Sequence, residues 1–274
     1  EKWFKYTNVN SVNLVIKVKG TAKINFFRKE WIQGKVITEQ IGEIVHESEG
    51  FEEITIPFNL SSLNGTYGFS MFALKSNTVF YGGYFASVIP EENVNKVKIA
   101  IDICTYRREK FVEANLNLLN KRFLQNEHSP LYGKLEVFVS DNAKTLDADK
   151  LRSSDIHIFE NKNAGGAGGF TRGLIEVNKV KKEKDITHIL LMDDDVCIEP
   201  ESIFRTFTLL SCVKKEYKDA FVGGAMLRLD TRNIQTESGA AWNGGKLISF
   251  KQNLDLNNLE CVLFNEVEEA VQFN

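Results

Sequence analysis

The chain has 274 residues, 43% of them hydrophobic, enough for a buried core in one large domain or two smaller ones. A formal net charge of −3, a pI near 5.9 and the lack of any long basic run give no electrostatic basis for nucleic-acid binding. No apolar run approaches the roughly 18 residues of a membrane span, and Glu1-Lys2-Trp3-Phe4-Lys5 lacks the apolar centre of a signal peptide. With no initiating Met, the chain reads as trimmed at its start. Cys104, Cys197, Cys212 and Cys261 show no C-x-x-C spacing, and His46, His128, His157 and His188 form no H-x-x-x-H pair. No zinc pattern is present, and scattered thiols suit a reducing compartment.

Residues 1 to about 90 alternate apolar and polar positions in short runs, as in Val12 to Val18, Lys23 to Arg28, Glu53 to Phe58, Tyr67 to Leu74 and Val79 to Phe85. Turn residues at Gly20, Gly34, Gly50, Asn64-Gly65 and Gly82-Gly83 separate them, which predicts an antiparallel β-sandwich over residues 1–92. Aromatics such as Trp3, Trp31, Phe69, Phe72, Tyr81 and Tyr84 fit either a core or a sugar-stacking platform.

The pattern changes near Pro90-Glu91-Glu92-Asn93. Apolar strands at Val97 to Cys104, Leu135 to Val139, Ile156 to Phe159 and Ile189 to Met192 then alternate with helical periodicity. Helices are expected from about Lys110 to Leu124, after the glycine-rich run with Phe170, Leu174 and Val177 on one face, and from Glu199-Pro200 through Leu210. The fold class is therefore α/β, with a mostly parallel sheet over residues 93–274. Each strand ends in polar residues: Thr105-Tyr106-Arg107-Arg108, Ser140-Asp141-Asn142, Asn161 to Asn163 and Asp193-Asp194-Asp195. Four such ends on one edge make a nucleotide-binding crevice.

The acid-tipped strand carries the sharpest chemistry. Side chains alternate along a strand, so Asp193 and Asp195 are expected on one side and Asp194 on the other. Two close carboxylates repel unless a cation lies between them, and hard oxygen ligands suit Mg²⁺ or Mn²⁺ completed by substrate phosphates. The alternative reading is a solvated acidic turn. Upstream, Asn161 to Gly173 holds Gly165, Gly166, Gly168, Gly169 and Gly173, where backbone can approach a ligand ahead of a helix. Its spacing matches neither G-x-G-x-x-G nor a P-loop.

Together, Cys104-Thr105-Tyr106-Arg107-Arg108, Asp141-Asn142, Asn163-x-Gly165-Gly166-x-Gly168-Gly169-Phe170-x-Arg172-Gly173, Met192-Asp193-Asp194-Asp195 with Glu199-Pro200, and Val222 to Met226 resemble bacterial galactofuranosyltransferases of the inverting family 2 glycosyltransferases. The likeness runs from about Val97 to the end. It implies an A-type nucleotide-sugar fold preceded by a β-sandwich, a UDP-sugar donor such as UDP-galactofuranose, Mn²⁺ or Mg²⁺, and inversion at the anomeric carbon. It further implies donor contacts from Thr105, Tyr106, Arg107, Asp141, Asn163, Gly166, Gly169 and Arg172. Asp193 and Asp195 would be the metal ligands, with Asp194 nearer the sugar. The resemblance also implies an oligosaccharide or cell-surface polysaccharide acceptor and a cytoplasmic setting, compatible with peripheral contact at the inner face of the membrane and with an oligomer.

Such enzymes place a catalytic acidic base and a further metal-binding His beyond Asn274, so the chain reads as the N-terminal part of a longer transferase. Inverting transfer needs a base because the acceptor hydroxyl loses its proton as it attacks. Within the chain, Glu266, Glu268 and Glu269 read as a solvated helix or strand face, and Asp230, Glu237 and Glu266 are the first to mutate in a search for a substitute base. Thr236 to Asn243 fits the acceptor side, with Trp242 either there or in the core. Two competing functions are a sugar nucleotidyltransferase, for which Val97 to Arg108 lacks the required glycine, and a carbohydrate-binding module with an inert α/β part.

Overall fold

The computed structural model describes residues 2–58 and 64–267. Glu268 and Glu269 fall outside these. Contacts group the chain into two compact units, Glu1–Val94 with Cys212–Asn274, and Asn95–Ser211. The first unit thus takes residues from both parts of the chain, whereas the sequence alone led to a single cut between residues 92 and 93.

In the first unit, α1 (Lys2–Tyr6) precedes β1 (Asn13–Ile32), β2 (Lys35–Pro57), β3 (Thr66–Ala73) and β4 (Val79–Ala86). β1 pairs antiparallel with β2 along its length, and on its other edge first with β4 and then with β3. Phe85 lies opposite Leu14 and Phe69 opposite Phe26, positions about 40 Å apart on a straight strand. Yet the Phe69 and Phe85 ring centroids are 6.3 Å apart, so the sheet doubles over. The corner is Gly20: the β1–β2 register slips between Val18 and Gly20, φ there is +89°, and a Cβ would sit 2.7 Å from Thr78 Cα. Leu14, Ile16, Ile24, Phe26 and Phe58 fill the space between the two layers. The antiparallel alternation expected of this region is present, but both layers come from one continuous sheet, because a glycine corner lets a long hairpin bend.

The second unit opens with β5 (Ile99–Thr105), α2 (Glu109–Leu119), β6 (Leu135–Asp141), α3 (Ala148–Leu151), β7 (Ile156–Glu160), α4 (Gly165–Val180), β8 (His188–Asp193) and α5 (Pro200–Cys212). The four strands form a parallel sheet in the order β7-β6-β5-β8. Odd-numbered β5 residues Ile99, Ile101 and Ile103 pack with Val112, Leu116 and Leu119 of α2 and with Ile203 and Leu210 of α5. On the other face Ala100 and Phe138 meet Val177 of α4. α4 approaches β5 closely, because a methyl at Gly169 would collide with the Cys104 sulfur and one at Gly173 with the Asp102 carboxylate. Four helical residues advance about 6 Å and two strand residues about 6.6 Å. Gly169, Gly173 and Val177 therefore step down Cys104, Asp102 and Ala100.

The rest of the first unit holds β9 (Met226–Leu227), β10 (Ile234–Glu237), β11 (Ala240–Asn243), β12 (Lys246–Ser249), β13 (Leu254–Asp255) and α6 (Leu259–Glu266). Lys251 Nζ donates to the Asn265 carbonyl at 2.6 Å, capping α6, and Gln235 and Asn265 exchange side-chain hydrogen bonds at 3.0 and 3.2 Å. Glu266 pairs with buried Lys2 at 3.5 Å and Asp230 with Arg228 at 2.7 Å. Trp242 is 74% exposed, which removes the core reading. Among the described residues no helix is long and apolar enough to cross a membrane.

Asp102 is fully buried under Gly173, and neither carboxylate oxygen has a hydrogen-bond partner among the described residues. Burial pushes its pKa up to about 7. The folded state then holds a proton that the unfolded state releases from about pH 4 upward, so the group erodes stability as pH rises from about 4 to about 7. Asp102→Asn keeps the shape of the protonated acid. It is expected to match the wild type in urea unfolding near pH 4 and to exceed it above pH 7, by at most about 4 kcal/mol. A stability difference that does not vary with pH would contradict a buried, proton-holding carboxyl.

Candidate active site

The chain runs outward through β5, β6 and β7 and then returns to place β8 on the other side of β5, so the strand order reverses between β5 and β8. Such a switch point leaves a crevice at the carboxyl ends. Register puts the polar tips level: Thr105 lies opposite Asp141, Cys104 opposite Asp193, and Asp141 opposite Glu160.

Asp193 and Asp195 are exposed and Asp194 is buried, although β8 ends at Asp193 and the next two residues form a turn, not the extended strand expected. Asp194 is braced from several sides. The Thr105 hydroxyl donates to its Oδ2 at 2.7 Å, Arg108 to its Oδ1 at 3.3 Å, and Asn115 Nδ2 of α2 to its backbone carbonyl at 3.0 Å. The residue expected nearest the sugar thus has both carboxylate oxygens engaged. Arg108 also pairs with Asp195, and Asp195 followed by Asp194 hold its guanidinium firmly protonated. The neighbouring arginine goes elsewhere, because Arg107 has a left-handed φ of 55° and its guanidinium lies 5.3 Å from the Tyr106 ring centre. Two adjacent arginines look equivalent in sequence, and this backbone kink separates them.

Asp141 accepts four backbone amides, from Ala143 and Lys144 at 2.9 Å, Thr145 at 2.7 Å and Leu146 at 2.8 Å. Its carboxylate builds the loop after β6. Buried Asn142 ties three segments together: its Nδ2 donates to the Gly165 carbonyl at 3.2 Å and to Cys104 Sγ at 3.4 Å, and its Oδ1 accepts from Asn161 at 2.8 Å.

The glycine run is not a loop. Gly165 to Gly169 form the first turn of α4, with Asn163 Oδ1 accepting from the Gly165 amide at 3.1 Å. A side chain at Gly165 or Gly166 would meet nothing within 4 Å, whereas Gly169 faces Cys104 and Asn142. Gly169 therefore serves helix–sheet contact. Helical glycines cost roughly 1 kcal/mol each, and the close approach they permit offsets that cost. Arg172 points along its own helix, donating to Glu176 at 2.8 Å and lying 5.7 Å from the Phe159 ring centre.

Thr105, Arg108, the acid triplet and the start of α4 thus come to one edge, with Arg172 turned away toward Glu176. Arg108, Asn115 and Asn142 were not singled out in the sequence. Arg108 and Asn142 sit in the quoted Thr105–Arg108 and Asp141-Asn142 strings without a role of their own, while Asn115 carries no local signal. Among the described residues no cluster of three or more His, Cys, Asp or Glu converges as a metal shell. The donor chemistry still fits a hard divalent cation, because Asp193 and Asp195 present two exposed carboxylates and such ions take their other ligands from water and phosphate.

No protein-family model matches the chain. Two curated proteins are similar to it. The galactofuranosyltransferase GlfT2 of Mycolicibacterium smegmatis (strain ATCC 700084 / mc(2)155) is 27% identical over 238 residues, covering 83% of this chain and 34% of that protein. GlfT2 of Mycobacterium tuberculosis (strain ATCC 25618 / H37Rv) is 26% identical over 238 residues, covering 83% of this chain and 35% of that protein. The chain spans about a third of the length of these relatives. They support a glycosyltransferase relationship, with which a mixed α/β fold of antiparallel sheets and a four-stranded parallel sheet is compatible.

The two kinds of glycine separate by substitution. Gly166→Val adds a side chain into open space, and valine is no worse than glycine in a helix, so its melting temperature is expected to stay unchanged or rise slightly. Gly169→Val should lose cooperative melting, since the Cys104 sulfur occupies the needed volume. Equal melting temperatures for both variants would show that α4 does not lie this close to β5.

Proposed function

We propose that residues 95–211 form the donor-binding part of a metal-dependent, inverting glycosyltransferase with an A-type fold. It takes a sugar from UDP, galactofuranose in the first instance, to a hydroxyl of an oligosaccharide or polysaccharide. The observation that carries this reading is the acid triplet at the switch point, braced by Thr105 and Arg108, beside a helix whose first turn is glycine. The similarity to two galactofuranosyltransferases supports glycosyl transfer and suggests galactofuranose as the first sugar to try.

In such a reaction the departing UDP gains negative charge, so groups that meet that charge stabilise the transition state more than the ground state. Arg108 supplies a fixed positive charge beside Asp194 and Asp195. The amides that follow Gly165 in the first turn of α4 suit a phosphate, and glycines there leave the backbone uncovered. Mn²⁺ or Mg²⁺ held by Asp193 and Asp195 would supply Lewis-acid neutralisation of the diphosphate. Thr105 and Asn115 keep Asp194 in place, so the two outer carboxylates are presented together. Tyr106, Arg107 and the Asp141 loop border the same edge and are assigned to the nucleoside.

Calorimetric titration of UDP tests the reading. Mn²⁺ is expected to strengthen UDP binding about tenfold or more, equivalent to about 1.4 kcal/mol, and Asp195→Ala to abolish that gain. Asp193→Asn should weaken the metal linkage while leaving the melting temperature unchanged or raised, because it removes like-charge repulsion. Equal UDP affinity with and without Mn²⁺ would count against the site. Slow UDP release from UDP-galactofuranose supports transfer chemistry, whereas pyrophosphate release from UTP would support nucleotidyl transfer instead.

A further inference from the structure

A cavity of residues 95–211 lies away from the acid triplet, at the amino-terminal edge of the parallel sheet. It has a volume of about 740 Å³ and is lined by Lys96, Lys98, Lys134, Lys181, Lys182 and Lys184, with Asp185 the one acidic residue among its lining. These lysines come from three separate segments: the approach to β5, the turn before β6 and the stretch after α4. In sequence, Lys179 to Lys184 reads as a solvated helix face. Lysines after α4 also suit the negative end of its dipole, but the dipole does not account for Lys96, Lys98 and Lys134.

The inner wall of the cavity is fixed. Glu136, buried in β6, accepts from Lys98 at 3.0 Å, from Lys184 at 2.9 Å and from His157 at 2.8 Å. Burial works against its charge, but hydrogen bonds from His157, Lys184 and Lys98 outweigh it and hold the carboxyl at about 2. Lys98 and Lys184 are thereby anchored. Lys96, Lys134, Lys181 and Lys182 are exposed and make no ion pair among the described residues. Counting Asp185 and Glu136 against the six lysines leaves a formal surplus of four positive charges, in a chain whose net charge is −3. Like charges gathered this way repel one another unless an anion joins them.

We propose that this cavity is a second ligand site, for a soluble molecule carrying two or more phosphate groups. Lysines act as point charges suited to phosphate, and the lining includes no arginine fork for planar carboxylate recognition. It includes no aromatic side chain on which a base could stack, so recognition rests on the anion and not on a nucleobase. The cavity is concave, with the volume of a small-ligand pocket, which favours a free ligand over a planar bilayer.

The test is calorimetric titration of inorganic tripolyphosphate into the full chain, in metal-free buffer at fixed salt. One saturable site is expected, weakened at least tenfold in Lys134→Ala/Lys182→Ala and in a second pair, Lys96→Ala/Lys181→Ala. All four side chains are exposed, so melting temperatures should stay within a few degrees. Arg108→Ala, at the opposite edge, should leave tripolyphosphate affinity within about twofold. Undiminished binding in both lysine pairs overturns the proposal. So does loss of binding in Arg108→Ala alone, which moves the anion to the donor edge. Co-sedimentation with anionic phospholipid vesicles without saturable tripolyphosphate binding also overturns it.

Discussion

The close seating of α4 on β5 is the constraint from which most of the second unit follows. Gly169 and Gly173 lack the methyl groups that would strike Cys104 and Asp102, and their spacing of four matches every second residue of the strand. The same seating buries Asp102 without a hydrogen-bond partner among the described residues and lets Asn142 reach the Gly165 carbonyl. It also starts the helix at the carboxyl edge of the sheet, with Gly165 and Gly166 uncovered. One packing contact therefore sets the sheet face, the helix terminus and the mouth of the crevice together.

The acid triplet depends on a different balance. Three consecutive carboxylates at a strand end are tolerated because one is taken out of the competition. Asp194 is buried against Thr105 and Arg108, its carbonyl is tied by Asn115, and only Asp193 and Asp195 remain outward. A brace of this kind costs nothing to reorganise when a ligand arrives, which is the property that electrostatic catalysis requires. In the proposed transfer the same Arg108 faces the charge that grows on the leaving diphosphate.

The sheet of the second unit is electrically polarised. Its carboxyl edge carries Asp193 and Asp195, while its amino edge carries six lysines around the Glu136 cluster. A whole-chain net charge of −3 conceals this local surplus. The first unit solves a separate problem. A hairpin of 20- and 23-residue strands is too long for a small domain, and the Gly20 corner folds it so that each layer covers the other's apolar face.

Periodicity along the chain determined which segments are strands and helices, because alternation and the 3.6-residue repeat are local consequences of which face is buried. Thus β5 to β8, α2, α4 and α5 and the polar strand tips were legible, as was the exposure of Asp193 and Asp195 on either side of a buried Asp194. Sequence spacing did not show that Gly169 and Gly173 serve packing, since a glycine that meets a ligand and one that meets a sulfur look alike until the opposing strand is in place. Nor could it show that Arg108, and not Arg107, pairs with the acid triplet, which required the left-handed turn at Arg107, or that Asp141 spends its carboxylate on four loop amides. The doubled sheet, the grouping of 212–274 with the first unit and the lysine-lined cavity belong to the tertiary structure alone. Each joins residues far apart in the chain, and no local pattern encodes which distant partner a face will meet.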